Sequence, residues 1–170
     1  MGSIGRKMAR NQKFRELYLE MHALCEEEGW GDPFSYARSK EIYAASVLGH
    51  DVAPNYSGAD AYDKDGCACE YKSTTAKNLK GSYTGVSVQD TWEKQKIYLL
   101  REKIGPYNHY YNHFKDGEMI ASWKLSGEAV YNILLPKFKK SYPTVLKKKD
   151  PRLAASVCWT EIQKYGVKVI

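Results

Sequence analysis

Apolar side chains recur with helical spacing near the start of the chain. Phe14, Leu17, Tyr18, Met21, Leu24 and Cys25 fall on one face, and Gly29 follows where helices commonly end in glycine. A second helix is expected over "FSYARSKEIYAASVLG", from about Phe34 to Leu48, closed by Gly49. Pro54, Asn55, Ser57 and Gly58 then read as a loop. "DTWEKQKIYLLREKIG" predicts a third helix with Asp90 as N-cap and Gly105-Pro106 as its stop. "YNHYYNHF" and "EMIASWKL" flank Lys115-Asp116-Gly117 and predict an antiparallel hairpin. In its second strand Met119, Ala121, Trp123 and Leu125 alternate with Glu118, Ile120, Ser122 and Lys124. "SGEAVYNILLPKFKK" predicts a fourth helix capped by Ser126, with Pro136 a candidate interruption. The tail, "LAASVCWTEIQKYGVKVI", reads as one or two strands.

That order predicts one α/β or α+β mixed domain around a central sheet. A length of 170 residues suits a single core. With 43% apolar and 27% charged residues, the composition is that of a globular protein. No apolar run approaches membrane-spanning length. The opening "MGSIGRKMARNQKF" lacks a hydrophobic secretory core, and Arg6 stands where a myristoylation signal wants Ser or Thr. A cytoplasmic location is therefore expected. The four cysteines, Cys25, Cys67, Cys69 and Cys158, are too few for a disulfide framework and read as reduced thiols.

Charge narrows the partner. The net charge of +6, from 26 Lys+Arg against 20 Asp+Glu, suits a polyanion. The cations cluster: Lys72, Lys77 and Lys80 stand together, and "PKFKK" and "LKKKDPR" load Lys137 to Arg152. Lysines kept for solubility would give the same total.

The chemistry concentrates in "GADAYDKDGCACEYKS", Gly58 to Ser73. Asp65-Gly66 signals a tight turn, and "CACEYKS" a strand. Alternation puts Ala68, Glu70 and Lys72 on one face and Cys67, Cys69 and Tyr71 on the other. A hairpin symmetric about position 65 sets Asp60 opposite Glu70, with Cβ atoms about 5 Å apart. Carboxylates that close repel, so one protonates or both share a cation. Mg²⁺ takes one or two carboxylates plus waters and phosphate oxygens. Lys72 beside it can orient or deprotonate an attacking water, or neutralise charge on the phosphate. The bland alternative is a surface Glu70–Lys72 pair with an unrelated Asp60.

This stretch resembles the active-site hairpin of the PD-(D/E)xK nuclease superfamily, in particular of PvuII-like type II restriction endonucleases. The likeness lies in the Gly-x-Asp-Ala-x-Asp opening, the ten-residue step from Asp60 to Glu70, and the Glu-x-Lys-Ser close. "KGSYTG", "KDGEMIASWKLSGEAVYN" and the closing "DPRL…YGVKVI" echo the same family more weakly. The resemblance implies a restriction-endonuclease-like core, a central mixed sheet flanked by helices. Residues 1–170 would form one domain, with a helical dimerisation region over about 10–50 and a catalytic and DNA-reading core over about 55–170. Asp60 and Glu70 would bind Mg²⁺, with Mn²⁺ as a substitute and the Tyr71 carbonyl a candidate third ligand. Lys72 would be the catalytic lysine. The implied activity is site-specific hydrolysis of double-stranded DNA at a short, roughly palindromic site. The enzyme would be a homodimer, or a heterodimer with a related subunit, and a cognate methyltransferase would protect the cell without direct contact.

Where the family reads bases, this chain departs from it. The family's histidine run falls on Gly85, Val86 and Ser87; an aspartate is replaced by Tyr36; and an Asn-Pro step becomes Asp150-Pro151 after Lys149. Contacts with DNA are expected from Tyr36, Lys77, Lys80, Ser82, Tyr83, Thr84, Ser87, Lys149 and Asp150, since such side chains change hydrogen bonding to base edges. The alternatives are a structure-selective repair or junction-resolving nuclease of the same fold, or a DNA-binding protein without catalysis. Cys67 and Cys69 with His109 and His113 have zinc-ligand chemistry, but the C-x-C spacing does not suit a structural site, and two core thiols account for it better.

Overall fold

The structure, a computed structural model, describes residues 3–54 and 58–170, with the backbone alone for residues 3–6. Asn55 and Ser57, expected in a loop, lie outside the described residues.

Helix α1 (Ser3–Glu27) and helix α2 (Arg38–Leu48) come first, followed by strands β1 (Asp51–Val52), β2 (Ala61–Tyr62), β3 (Ala68–Thr74) and β4 (Gly81–Ser87). Helix α3 (Trp92–Tyr98) runs into a π-helical turn, Leu99–Lys103. Strands β5 (Asn108–Lys115) and β6 (Glu118–Leu125), helix α4 (Gly127–Val145), strand β7 (Arg152–Val157), helix α5 (Trp159–Tyr165) and strand β8 (Val167–Lys168) complete the chain. The result is a mixed α/β protein. Six strands form one mixed sheet in the order β1-β2-β3-β5-β6-β8, and β4 pairs with β7 in a separate two-stranded sheet. Only β3 and β5 run parallel; the other neighbours are antiparallel. No helix among the described residues is long and apolar enough to cross a membrane.

Each face of the main sheet has its own cover. Cys69, Tyr71, Tyr110, Phe114 and Met119 pack with Ala44 and Ala45 of α2. On the opposite face, Tyr111 and Leu125 join a larger core with β4, β7 and α4. Helix α4 supplies Val130, Ile133, Leu134, Phe138, Tyr142 and Val145 to it at helical spacing. The α4 N-terminus is capped as expected: the Ala129 N–H donates to Ser126 Oγ at 3.2 Å, an arrangement worth about 1 kcal/mol.

Five local expectations are corrected. Helix α2 begins at Arg38 rather than about Phe34, after a turn in which Tyr36 takes φ 52°. The N-cap of α3 is Thr91, whose side chain accepts from the Lys94 N–H at 3.3 Å, while Asp90 pairs with Lys94 Nζ at 2.8 Å. Helix α4 continues through Pro136 and Pro143. Pro136 and Asn132, whose carbonyl loses its partner there, both face solvent, so the freed group stays hydrated. Residues Trp159–Tyr165 form a helix instead of extended strand. Glu161 accepts from the Cys158 N–H at 2.8 Å, and Lys137 of α4 reaches that carboxylate at 2.7 Å. Cys67 is exposed at the turn rather than packed inward; only Cys69 of that pair is buried.

Candidate active site

The β2–β3 hairpin has the register its turn demands. Ala61 pairs with Cys69 and Tyr62 with Ala68, a symmetry about position 65. Gly66 takes φ 76° in the turn, a conformation that glycine adopts without Cβ strain. The ladder stops at Ala61, and Asp60 is held just past its end by two further bonds. Its N–H donates to the Cys69 carbonyl at 2.9 Å. Its carboxylate accepts the Tyr71 N–H at 2.6 Å. Glu70 and Lys72 share one face of β3 and form a direct ion pair, both largely screened from solvent. Asp60, Glu70 and Lys72 are therefore brought together.

The site is short of positive charge. Burial first, then the carboxylates of Glu70 and Glu41, push the Asp60 carboxyl up to about 7; the Tyr71 N–H and Lys72 act in the opposite sense. A hard divalent cation relieves that repulsion. Among the described residues no three His, Cys, Asp or Glu side chains converge. The available set, two carboxylates with room for waters and phosphate oxygens, fits Mg²⁺ better than an all-protein zinc cage. Burial pushes the Cys69 thiol up to about 12, which keeps it a protonated core group. The Tyr71 side chain turns to the α2 face, where its hydroxyl lies 2.7 Å from His50 Nδ1.

Beneath Lys72 lies a buried polar chain that strand periodicity does not reveal. The Lys72 ammonium sits 5.0 Å from the centroid of the Tyr83 ring. The Tyr83 hydroxyl is 2.9 Å from both His109 Nδ1 and the Tyr111 hydroxyl. Burial holds His109 down at about 4, so it is neutral at pH 7. Its Nε2 is 2.9 Å from the Ile104 carbonyl, which only accepts, so Nε2 carries the proton. Nδ1 must then accept from Tyr83, and Tyr83 from Tyr111. The proton order runs Tyr111 to Tyr83 to His109, anchored by a carbonyl just after the π-helical turn. Gly81 lets β4 close over this chain: a Cβ there would come within 2.1 Å of the Tyr111 ring and 3.3 Å of Lys72 Cγ.

Two residues of α2 were also missed. Arg38 is buried, donates Nε to the Trp30 carbonyl at 2.7 Å, pairs with Glu41 at 3.3 Å and donates Nη2 to the Ala53 carbonyl. The Ala53 N–H in turn donates to the Asp60 carbonyl at 3.1 Å. Arg38 thus braces the segment that carries Asp60. An isolated Arg-x-x-Glu offers no sequence signal for this, since such pairs mostly decorate helix surfaces.

The residues expected to read DNA divide. Lys77, Lys80, Ser82, Thr84, Lys149 and Asp150 are exposed. Ser82 lies 3.3 Å from Ser156 across the β4–β7 ladder. Ser87 and Asp150 meet through Arg152, whose guanidinium is 3.1 Å from each. Tyr36 is 95% exposed on the α1–α2 connection, whereas β4 covers the other face of the sheet. Tyr83 is corrected: at 5% exposure, with its hydroxyl engaged, it faces the core beneath Lys72 and not a groove of DNA.

No protein-family model matches the chain, and no curated protein does.

Proposed function

We propose that the protein is a Mg²⁺-dependent endonuclease of the PD-(D/E)xK kind, cutting double-stranded DNA at a short, roughly palindromic site as a dimer. One observation carries the reading: the Asp60 carboxyl, shifted up to about 7, stands beside Glu70, which is itself ion-paired to Lys72. Two crowded carboxylates and an amine at one end of a hairpin are costly for stability alone and suited to phosphodiester hydrolysis.

Asp60 and Glu70 would hold the ion, which when bound supplies a water of lowered pKa and positive charge at the phosphate. The Tyr71 N–H fixes the Asp60 carboxylate. Lys72 donates to the attacking water or to a phosphate oxygen, stabilising the charge that builds as the new O–P bond forms and the bond to the leaving 3′ oxygen breaks. Exposed lysines at 77, 80 and 149 suit the duplex backbone. The dimer is supported by α1, where Phe14, Leu17, Met21 and Leu24 are 70%, 47%, 44% and 50% exposed along one side.

Incubation of plasmid DNA of known sequence with the protein, in Mg²⁺ or in EDTA, tests this. Discrete fragments that require Mg²⁺ are expected. Cutting confined to junctions or mismatches would replace the site-specific reading, and binding without cleavage of any duplex would remove the enzymatic one.

A further inference from the structure

A cavity opens on the sheet face that carries Lys72. The ladders set Lys72 beside Tyr111, Tyr111 beside Trp123 and Trp123 beside Lys168. Paired residues share a face, and strands lie about 4.8 Å apart, so Trp123 stands roughly 10 Å from Lys72 with Tyr111 between them. The cavity has a volume of about 300 Å³ and is lined by Trp123, Trp159, His113, Lys77 and Lys168, among others. The two indoles meet edge to face, with centroids 5.4 Å apart and planes at 88°. Both are half-buried, whereas Lys77 and Lys168 are exposed at the rim.

Charge distinguishes this cavity. No carboxylate lines it, and among the described residues neither the Lys77 nor the Lys168 ammonium has an ion-pair or hydrogen-bond partner. The larger cavity between α4 and α5, about 760 Å³, has no such bias: Glu128 and Glu161 line it, and Glu161 neutralises Lys137 at 2.7 Å. Two uncompensated ammonium groups beside two indoles and an imidazole favour a flat ring bearing an anion. Aromatic side chains stack on any base, and lysines pair with phosphate as point charges. The volume lies at the small end of ligand pockets, which begin at about 300 Å³, and suits one such unit rather than a longer stretch.

We propose that this cavity binds a single nucleotide unit, its base against Trp123 and Trp159 and its phosphate paired with Lys77 and Lys168. The site needs neither the metal nor Lys72, so it stands or falls apart from the cleavage reaction.

Titration of the full chain in EDTA, followed by tryptophan fluorescence, tests it with deoxyadenosine monophosphate, deoxyadenosine, inorganic phosphate and a short single-stranded oligonucleotide. Saturable quenching by the monophosphate, weaker by about tenfold for deoxyadenosine, is expected. Lys168→Glu and Lys77→Glu, both at exposed positions, should each weaken it by about tenfold, while Lys139→Glu on the outside of α4 leaves it unchanged. Trp159→Phe should reduce the quenching amplitude. Binding of the monophosphate identifies a free nucleotide as a ligand; binding of the oligonucleotide alone identifies a nucleotide within a DNA strand. Quenching by neither, or affinity indifferent to both lysine substitutions, overturns the proposal, whatever the result with Mg²⁺ and plasmid.

Discussion

The ammonium of Lys72 rests 5.0 Å from the ring centroid of Tyr83, and the Tyr83 hydroxyl is tied down on its far side by His109 and Tyr111. Lys72 is thus held from below by an aromatic face and from the side by Glu70. Tyr83→Phe keeps the ring but leaves His109 Nδ1 and the Tyr111 hydroxyl without their partner, at a cost of about 1–3 kcal/mol. Tyr83→Leu removes the ring as well, and with it a cation–π contact of about 0.5–2 kcal/mol. The expected pattern is destabilisation in both variants, near-normal cleavage for Phe, and slowed cleavage with unchanged DNA affinity for Leu. Urea denaturation and single-turnover kinetics measure the two effects separately; equal cleavage rates for Phe and Leu would deny the ring a positioning role.

Gly81 and Gly85 lie on the same strand and should respond differently to alanine. At Gly81 the added methyl meets the Tyr111 ring at 2.1 Å, and overpacking of this kind costs about 1–3 kcal/mol. It also crowds Lys72 Cγ, so cleavage falls with stability. At Gly85 the space is open but φ is +68°, so Gly85→Ala costs about 1–2 kcal/mol of backbone strain without touching the site. Denaturation with parallel activity assays separates the pair: only Gly81→Ala should lose specific activity in the folded fraction.

Under the proposed function, Asp60 sets a pH dependence for Mg²⁺ binding. Its carboxyl is pushed up to about 7 in the absence of metal, chiefly by burial and then by Glu70. Below that value the group holds a proton, which the ion must displace. Affinity for Mg²⁺ should therefore fall as pH drops below about 7, by up to about tenfold per unit, and level off above it. Calorimetry in buffers of different ionisation enthalpy should find close to one proton released per ion on the acid side and almost none on the alkaline side. A flat profile would mean that Asp60 does not bind the ion.

Helix α1 exposes an apolar stripe that a single chain does not cover. Phe14→Glu combined with Leu17→Glu should convert a dimer into a folded monomer, read as a halved mass in light scattering with unchanged helical circular dichroism. Cleavage of both strands should then give way to nicking or be lost. An unchanged mass would place the dimer surface elsewhere.

The hairpin register could be read from sequence because every determinant is local: Asp65-Gly66 fixes the turn, and two-residue alternation assigns the faces of β3. Helix α4, with its one buried face, and the β5–β6 hairpin are legible for the same reason. What escaped depends on partners distant in the chain. β4 pairs with β7, some 70 residues later by the Ser82–Ser156 match, and that pairing turns Tyr83 inward. Helix α5 has seven residues, too few to show a period, and relies on Cys158, Glu161 and Lys137. The buried roles of Arg38 and His109 arise from backbone carbonyls that close on them only in the folded chain.

The most direct test is single-turnover cleavage of a duplex carrying the protein's own site, comparing wild type with Lys72→Ala at saturating Mg²⁺ and measuring duplex affinity alongside. The account predicts that Lys72→Ala binds the duplex as tightly as wild type and cuts it slower by a factor of about 10²–10³, as when a charge-stabilising donor is lost. A Lys72→Ala protein that cuts at the wild-type rate would contradict it.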